Sequence, residues 1–389
     1  MNKISYIIVF STCCLLLAAN CLFATAPPPI ILNDTTTHYL LGSNFSLLKD
    51  KEKKLTIRDI ISPAFKQAFV YNEKQRLNFG HTNAAYWIKF KIKNVTSAKI
   101  DLFLEIDYHI IDKIDFYILQ PNNTFIEKKS GDQIPFHQRE IHHRKPLFRL
   151  TINAHQQQTY YLKAENNGGT LNMPISFWIP EAHTQKDYEE QYILGIYYGV
   201  LAIVLLINLF LFRTLRDRTY LYYVLYIFWM MIGQLSLDGF TFQYFWPNFS
   251  WLSNHIIPLS ACLSYCFFIK FAQSFLHTKY YQPSIDKVIS TVWVLVIFTL
   301  LISLFNNPFY AFSTKLVDIL IFVIGIVILI AAIFSLKTNF RVNVYFLSGF
   351  LILLIGASAF ILKEIGKLPG FFLTDYAMHL GTSLEAIVL

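Results

Sequence analysis

Asp187-Tyr188-Glu189-Glu190 is followed at once by Tyr192-Ile193-Leu194 and, a few residues on, by Val200-Leu201-Ala202-Ile203-Val204-Leu205-Leu206-Ile207. That change from acidic to apolar decides the architecture, because the two sides of it need different solvents. Residues 27–191 carry 21 Lys/Arg and 18 Asp/Glu, a charge density close to that of an ordinary soluble domain. Residues 192–389 hold only 11 and 7, although they are the longer part. One half is therefore built for water and the other for a bilayer. This excludes a wholly cytosolic enzyme. The formal charge of +8 is spread over both halves without a long Lys/Arg block, so nucleic acid is not an expected partner.

Residues 1–26 read as a secretory signal: Lys3, then the apolar run Ile4 to Ala19, then the small-x-small site Ala24-Thr25-Ala26. Pro27 would hinder cleavage, so the leader is either removed or kept as an anchor. The following domain is exported in both cases. Asn20 ahead of Cys21 argues against a lipoprotein acceptor. Residues 27–191 contain no cysteine, so the exported domain has no disulfide and depends on its own core. Cys262 and Cys266 read as small buried residues of an apolar helix.

The exported stretch alternates with period two. In Tyr86-Trp87-Ile88-Lys89-Phe90-Lys91-Ile92-Lys93, Tyr86, Ile88, Phe90 and Ile92 share one face, and Trp87 with three lysines shares the other. Further strands are predicted at 102–106, 114–119, 124–128, 147–152, 159–164 and 175–178. Pro121-Asn122-Asn123, Ser130-Gly131-Asp132, Asn153-Ala154-His155 and Asn166-Asn167-Gly168-Gly169 supply the turns. Many short strands with no helical period between them predict an all-β sandwich or jelly roll over 27–185. A linker is expected at 186–191.

Seven spans follow, at about 192–212, 219–238, 254–276, 288–305, 312–335, 344–362 and 371–389, each near the ~20 residues that cross a bilayer. The chain thus combines an all-β ectodomain with an all-α seven-helix membrane region. With the β domain outside, the inner loops would carry Arg213, Arg216, Arg218, Lys279, Lys287, Lys337 and Arg341, against Lys315, Lys363 and Lys367 on the outer side. The bias has the sense of the positive-inside rule and places the C-terminus on the cytoplasmic side.

Leu77-Asn78-Phe79-Gly80 with Ala85-Tyr86-Trp87-Ile88-Lys89-Phe90 resembles the extracellular β-sandwich sensor domain, of the second type, of bacterial seven-transmembrane receptors with diverse intracellular signalling modules. The membrane half is similar at Tyr198-Gly199, Asn208-Leu209-Phe210-Leu211, Arg216 to Tyr223, Gly239, Trp246-Pro247, Gly381 and Glu385. The resemblance covers about residues 35–389. It implies a receptor whose jelly roll, similar to carbohydrate-binding modules, takes a small periplasmic ligand such as a carbohydrate. It also implies an output module of histidine kinase or diguanylate cyclase type. The sequence carries no kinase His box, nucleotide loop or GGDEF-like turn before Leu389, so that module is expected to be missing or a separate partner.

Candidate ligand contacts are Trp87 and Trp178 as stacking platforms, Lys89 beside Trp87, and Asn166 at a loop tip. Covering of Trp87 by lysine stems and a second sheet is the competing reading. His137, His142, His143 and His155 match no metal spacing, and the neighbouring Arg139, Arg144 and Lys145 would repel a cation, so a solvated polar loop is expected there, with neither metal nor cofactor. Within the spans, Lys270, Asp318, Asp375 and Glu385 are candidates for structural pairing or signal coupling, with His379 also inside. Lys270 and Glu385 fall at matching depths of ~24 and ~21 Å, so an ion pair between spans three and seven is expected. A transporter is the alternative function, disfavoured by the lack of an internal repeat. A membrane-embedded hydrolase is disfavoured because no Gly-x-Ser-x-Gly or His-Glu-x-x-His motif occurs.

Overall fold

The computed structural model describes residues 27–65, 67–71, 77–120, 124–364, 367–369 and 371–389. The signal segment and the Pro121-Asn122-Asn123 turn lie outside the described residues.

Among the described residues thirteen strands precede the first long helix: β1 (Ile30–Leu32), β2 (His38–Leu40), β3 (Phe45–Asp50), β4 (Val70–Tyr71), β5 (Asn78–His81), β6 (Ala85–Asn94), β7 (Ile100–Ile106), β8 (Lys113–Leu119), β9 (Phe125–Ser130), β10 (Leu147–Ile152), β11 (Gln157–Glu165), β12 (Thr170–Asn172) and β13 (Ile175–Trp178). One sheet runs β4-β3-β6-β11-β8-β9, with β1 pairing in parallel with the far end of β6. The second runs β10-β7-β13-β2, and β12 pairs with β5. The alternation in β6 determines how the sheets meet. Tyr86, Ile88, Phe90 and Ile92 point into a core shared with Leu102, Leu104, Phe148 and Phe177 of the opposite sheet. Phe90 lies 5.5 Å from Phe177, and Phe116 lies 5.2 Å from Phe148, ring centre to ring centre. Asn94 closes the edge of this core: its buried amide donates to the carbonyls of Ala98, Ile152 and Asn153. Turn chemistry and strand pairing are thus joined in one side chain.

The other face of β6 is covered too, by a device the strand pattern did not announce. Helix α1 (Ile57–Ile61), begun by a Thr56/Asp59 capping box, lays Ile57 and Ile60 over Trp87, Tyr117 and Tyr161.

The membrane half contains α2 (Pro180–Leu215), α3 (Arg218–Leu237), α4 (Ser250–Phe275), α5 (Thr278–Tyr281), α6 (Pro283–Ile302), α7 (Phe309–Ser335), α8 (Phe340–Glu364), α9 (Phe372–Asp375) and α10 (Ala377–Val388). Six of these, α2, α3, α4, α6, α7 and α8, are long and apolar enough to cross a membrane. Two expectations are corrected. The 186–191 linker does not exist: Pro180 occupies the first turn, where its missing N–H costs nothing, and the helix runs unbroken to Leu215. The seventh span is not one helix over 371–389: it breaks at Tyr376, leaving the twelve-residue α10 to enter the bundle.

Contacts with the β domain fix the sidedness of the loops. Phe136 N–H donates to Pro247 O, and Asn307 donates to Asn167 O. The α3–α4 and α6–α7 connections therefore lie on the sandwich side, and Arg216, Tyr281 and Thr338 lie at the opposite end. At that end the chain reverses through Arg216, at φ 55°, and Asp217 caps α3 by accepting from Thr219 N–H at 2.8 Å.

Candidate functional site

The last strand of the sandwich enters α2 without a break, and charged side chains gather around that passage. Glu105, on β7, points outward from the sandwich but is only 1% exposed, because the first turns of α2 lie across it. Lys186 donates to both of its carboxylate oxygens, at 2.7 and 2.9 Å. Lys145 reaches Glu105 at 3.6 Å, Asp107 at 2.6 Å and Glu190 at 2.8 Å. Arg144 forms an ion pair with Glu190 and approaches Asp187 at 3.7 Å, and His143 Nε2 lies 3.0 Å from that same Asp187 oxygen. Sheet and helix are therefore joined by interlocked charges of both signs.

Burial by itself would push the Glu105 carboxyl up. Lys145, then His183 and Lys186, outweigh it and hold the group well below the ordinary carboxylate range. Lys145 is the mirror case: burial lowers it, and the carboxylates of Asp107, Glu105 and Glu190 raise it above a free lysine. Such a network is costly to break from one side, since the remaining partner is left as an uncompensated buried charge.

Arg144 also extends the network beyond α2. Its guanidinium donates to Asp238 O at 3.2 Å, at the end of α3, and lies over the Phe240 ring. Gly239 sits here at φ 82°, so close to Arg144 that a Cβ would meet its carbonyl oxygen at 3.0 Å. His109 contacts the Ser236 carbonyl at 2.6 Å, and Phe136 packs edge-on to Phe242, with Arg139 over the same ring. The Asp238 carboxylate accepts from Tyr198 of α2 and pairs with His379 of α10 at 3.1 Å. One side chain thus touches the first, second and last helices. On the far side of the sandwich base, His81 of β5 meets Asp318 of α7 at 3.7 Å.

The structure places the sequence candidates as follows. Trp87 is fully buried, stacked on Tyr117 beneath Lys163 and α1; the second sheet is not what covers it. Lys89 lies over the Phe69 and Tyr161 rings. Asn166 is 2% exposed and is spent on structure, accepting from Asp112 N–H and donating to Thr170 O. Trp178 is half-buried between the His38 ring, 3.8 Å away, and Lys186, 5.0 Å above its face. The 137–145 region is solvated only in part: His137, Glu140 and His142 are exposed, whereas Arg139, Arg144 and Lys145 are buried in the junction.

In the bundle, Asp318 and Asp375 lie on the sandwich side, Asp375 with Lys363 at 2.8 Å. Lys270 and Glu385 do not meet. Lys270 donates to Gln273 and covers Trp293, and Glu385, among the described residues, accepts only from Tyr226, at 3.4 Å. Gly381 packs against Gly356 of α8, with 3.1 Å between a Cβ built there and the opposing Cα, and so does not bring α10 close to span three.

Glu105, Lys186, Asp187 and Glu190 were not among the candidates. An acidic–basic cluster at a domain boundary was visible in the sequence, but boundary charges ordinarily face water. Among the described residues no group of three or more His, Cys, Asp or Glu could hold a metal ion.

Residues 190–389 match the model of the 7TM diverse intracellular signalling family, and residues 42–179 match that of its extracellular domain 2. The two matches meet at the junction just described. No curated protein matches the chain.

Proposed function

The chain belongs to the 7TM diverse intracellular signalling family, and from that premise we propose that it is a non-enzymatic receptor in a bacterial inner membrane. In this reading residues 27–179 sense a small periplasmic ligand, a carbohydrate, and the helices pass the resulting bias to a cytoplasmic module of histidine kinase or diguanylate cyclase type. The C-terminus lies on the cytoplasmic side, as the distribution of basic loop residues favours.

The observation that carries the reading is the sharing of Lys186. This ammonium lies over the Trp178 ring and clamps Glu105 to α2. A sugar ring that took the place of His38 on Trp178 would change the surroundings of Lys186, and with them the relative stability of two α2 positions. A ligand acts only through such a difference in affinity between states. Lys89, over its aromatic pair, is the second proposed contact. Trp87 would contribute only if α1 moved aside, and Asn166 only by holding its turn.

Saturation-transfer NMR of the full chain in lipid nanodiscs with a panel of free mono- and disaccharides tests the ligand class. Transfer to at least one sugar is expected, lost in Trp178→Ala. Silence across the panel would refute a carbohydrate ligand. A cysteine at Thr214 should react with a membrane-impermeant reagent only after permeabilisation; reaction in intact spheroplasts would reverse the orientation.

A further inference from the structure

Histidines recur where the sandwich meets the helices. Of the eleven in the chain, His81, His109, His137 and His143 of the β domain contact residues of the membrane half, and His183 of α2 contacts β7. Three of the five face a carboxylate across the junction: His143–Asp187 at 3.0 Å, His183–Glu105 at 3.7 Å and His81–Asp318 at 3.7 Å. We propose that these three pairs make the junction a proton-binding site, so that acidification of the outer compartment tightens the sandwich onto α2 and α7. This is an input separate from the ligand and does not depend on what the ligand is.

The chemistry is a charge change at contacts already in place. A neutral imidazole gives its carboxylate a plain hydrogen bond at most; an imidazolium gives a charge-assisted pair. His143 is built for both states. Its Nδ1 lies 3.1 Å from Lys145 N–H, which it can accept, and 3.3 Å from Lys145 O, to which it can donate once protonated. Its ring meets that of His183 edge-on at 5.3 Å, and Arg144 shares Asp187 with it. His183 faces Glu105, with Phe103 at its edge, and Lys145 and Lys186 share that carboxylate. His81 faces Asp318 of α7 across the base of the sandwich, with side chains partly open to solvent.

Of the other junction charges, Glu105 and Lys145 stay clear of the histidine window. Glu105 stays ionised to below the usual carboxylate range, and Lys145 stays ionised to above the usual lysine range. His109 is held down, to about 4, by burial and by the nearby Arg144 and Arg139, so it stays neutral while its ring contacts Ser236 O. The competing group is Asp112, which burial raises to about 6, with the buried Asp132 raised beside it.

Hydrogen exchange of the full chain in nanodiscs, corrected for the intrinsic pH dependence of exchange, reads the opening of this junction. Between pH 8 and pH 5.5, protection of amides in 78–82, 141–146 and 181–190 should rise relative to α4, by about threefold for each pair. The triple variant His81→Gln/His143→Gln/His183→Gln should lose that rise. His81→Gln alone, altering a partly exposed pair that cannot threaten folding, should lose it only at 78–82. Flat protection in the unaltered protein overturns the proposal. So does a rise that persists in the Gln variants, which would assign the response to Asp112 and Asp132.

Discussion

The two ends of the helix bundle are held by different forces. At the sandwich end, buried Arg144 and Lys145 share Glu105, Asp107, Asp187 and Glu190, and Asp238 ties three helices to one carboxylate. At the opposite end, among the described residues, no salt bridge occurs. There Thr219 bonds Ser274, Asp286 accepts from Gln273 and Thr278, and Asn343 donates to Ser335 O. Isolated hydrogen bonds of this kind contribute about 1 kcal/mol each, somewhat more where the Asp286 carboxylate accepts, whereas removing one member of a buried charge network costs several. The sandwich end therefore fixes position, and the far end is free to express small changes in helix arrangement. For a receptor of the proposed kind this asymmetry would be useful: a rigid joint to the sensing domain and a more compliant opposite end.

The sharpest way to break the comparison is to remove a charge from each end. Lys145→Met leaves Glu105 buried with only Lys186 and His183, and should cost about 3–5 kcal/mol in denaturant unfolding of the full chain. Arg213→Ala, at the far end, should leave the midpoint unchanged. If both variants behave alike, the ends are not different in kind. Acid offers the same contrast without mutation. Because the Glu105 group is depressed in the folded protein, its contribution is present above its ordinary range near 4.5 and is lost as pH falls through its lower folded value. Junction amides should therefore lose protection below pH 4, before those of α4.

A smaller effect is expected where α8 and α10 cross. A Cβ on Gly356 would lie 2.6 Å from Ala377 O, which is backbone and cannot move aside. Gly356→Val should cost about 1–3 kcal/mol through overpacking, read as lower thermal stability in detergent. Gly195→Val, on α2 where nothing lies within 4 Å, should cost far less.

How much of this was legible follows from what each pattern measures. Period-two alternation in β6 predicted which side chains meet the second sheet, because a pleated strand has only two faces. Long apolar runs located six spanning helices, because a bilayer demands length. The linker was misread because charge was taken as a sign of exposure: Lys186, Asp187 and Glu190 are charged because they are paired, and pairing depends on Arg144 and Lys145, some forty residues earlier. Trp87 was placed correctly on the lysine-bearing face, but the cover over it comes from α1, a five-residue helix too short to leave a period. For Lys270 and Glu385 the sequence offered only position along a helix, whereas azimuth decides who touches whom.

The smallest expected effect concerns that last pair. Lys270 has its own partners, Gln273 at 3.1 Å and the Trp293 face at 4.3 Å. Among the described residues, Glu385 has one long bond from Tyr226, and its Oε1 has no partner. Neither contact involves the other residue, so a double-mutant cycle of Lys270→Met and Glu385→Gln should give coupling below about 0.5 kcal/mol. Each single change should itself be mild. Methionine keeps a stem of similar length over the indole, where sulfur–aromatic contact replaces part of the cation–π attraction. Glutamine still accepts from Tyr226 without placing a carboxylate in an apolar site. Thermal unfolding of the four proteins in the same detergent measures the coupling. A value of 2 kcal/mol or more would mean that α4 and α10 can turn to bring these charges together, and that the far end of the bundle holds an ionic contact of its own.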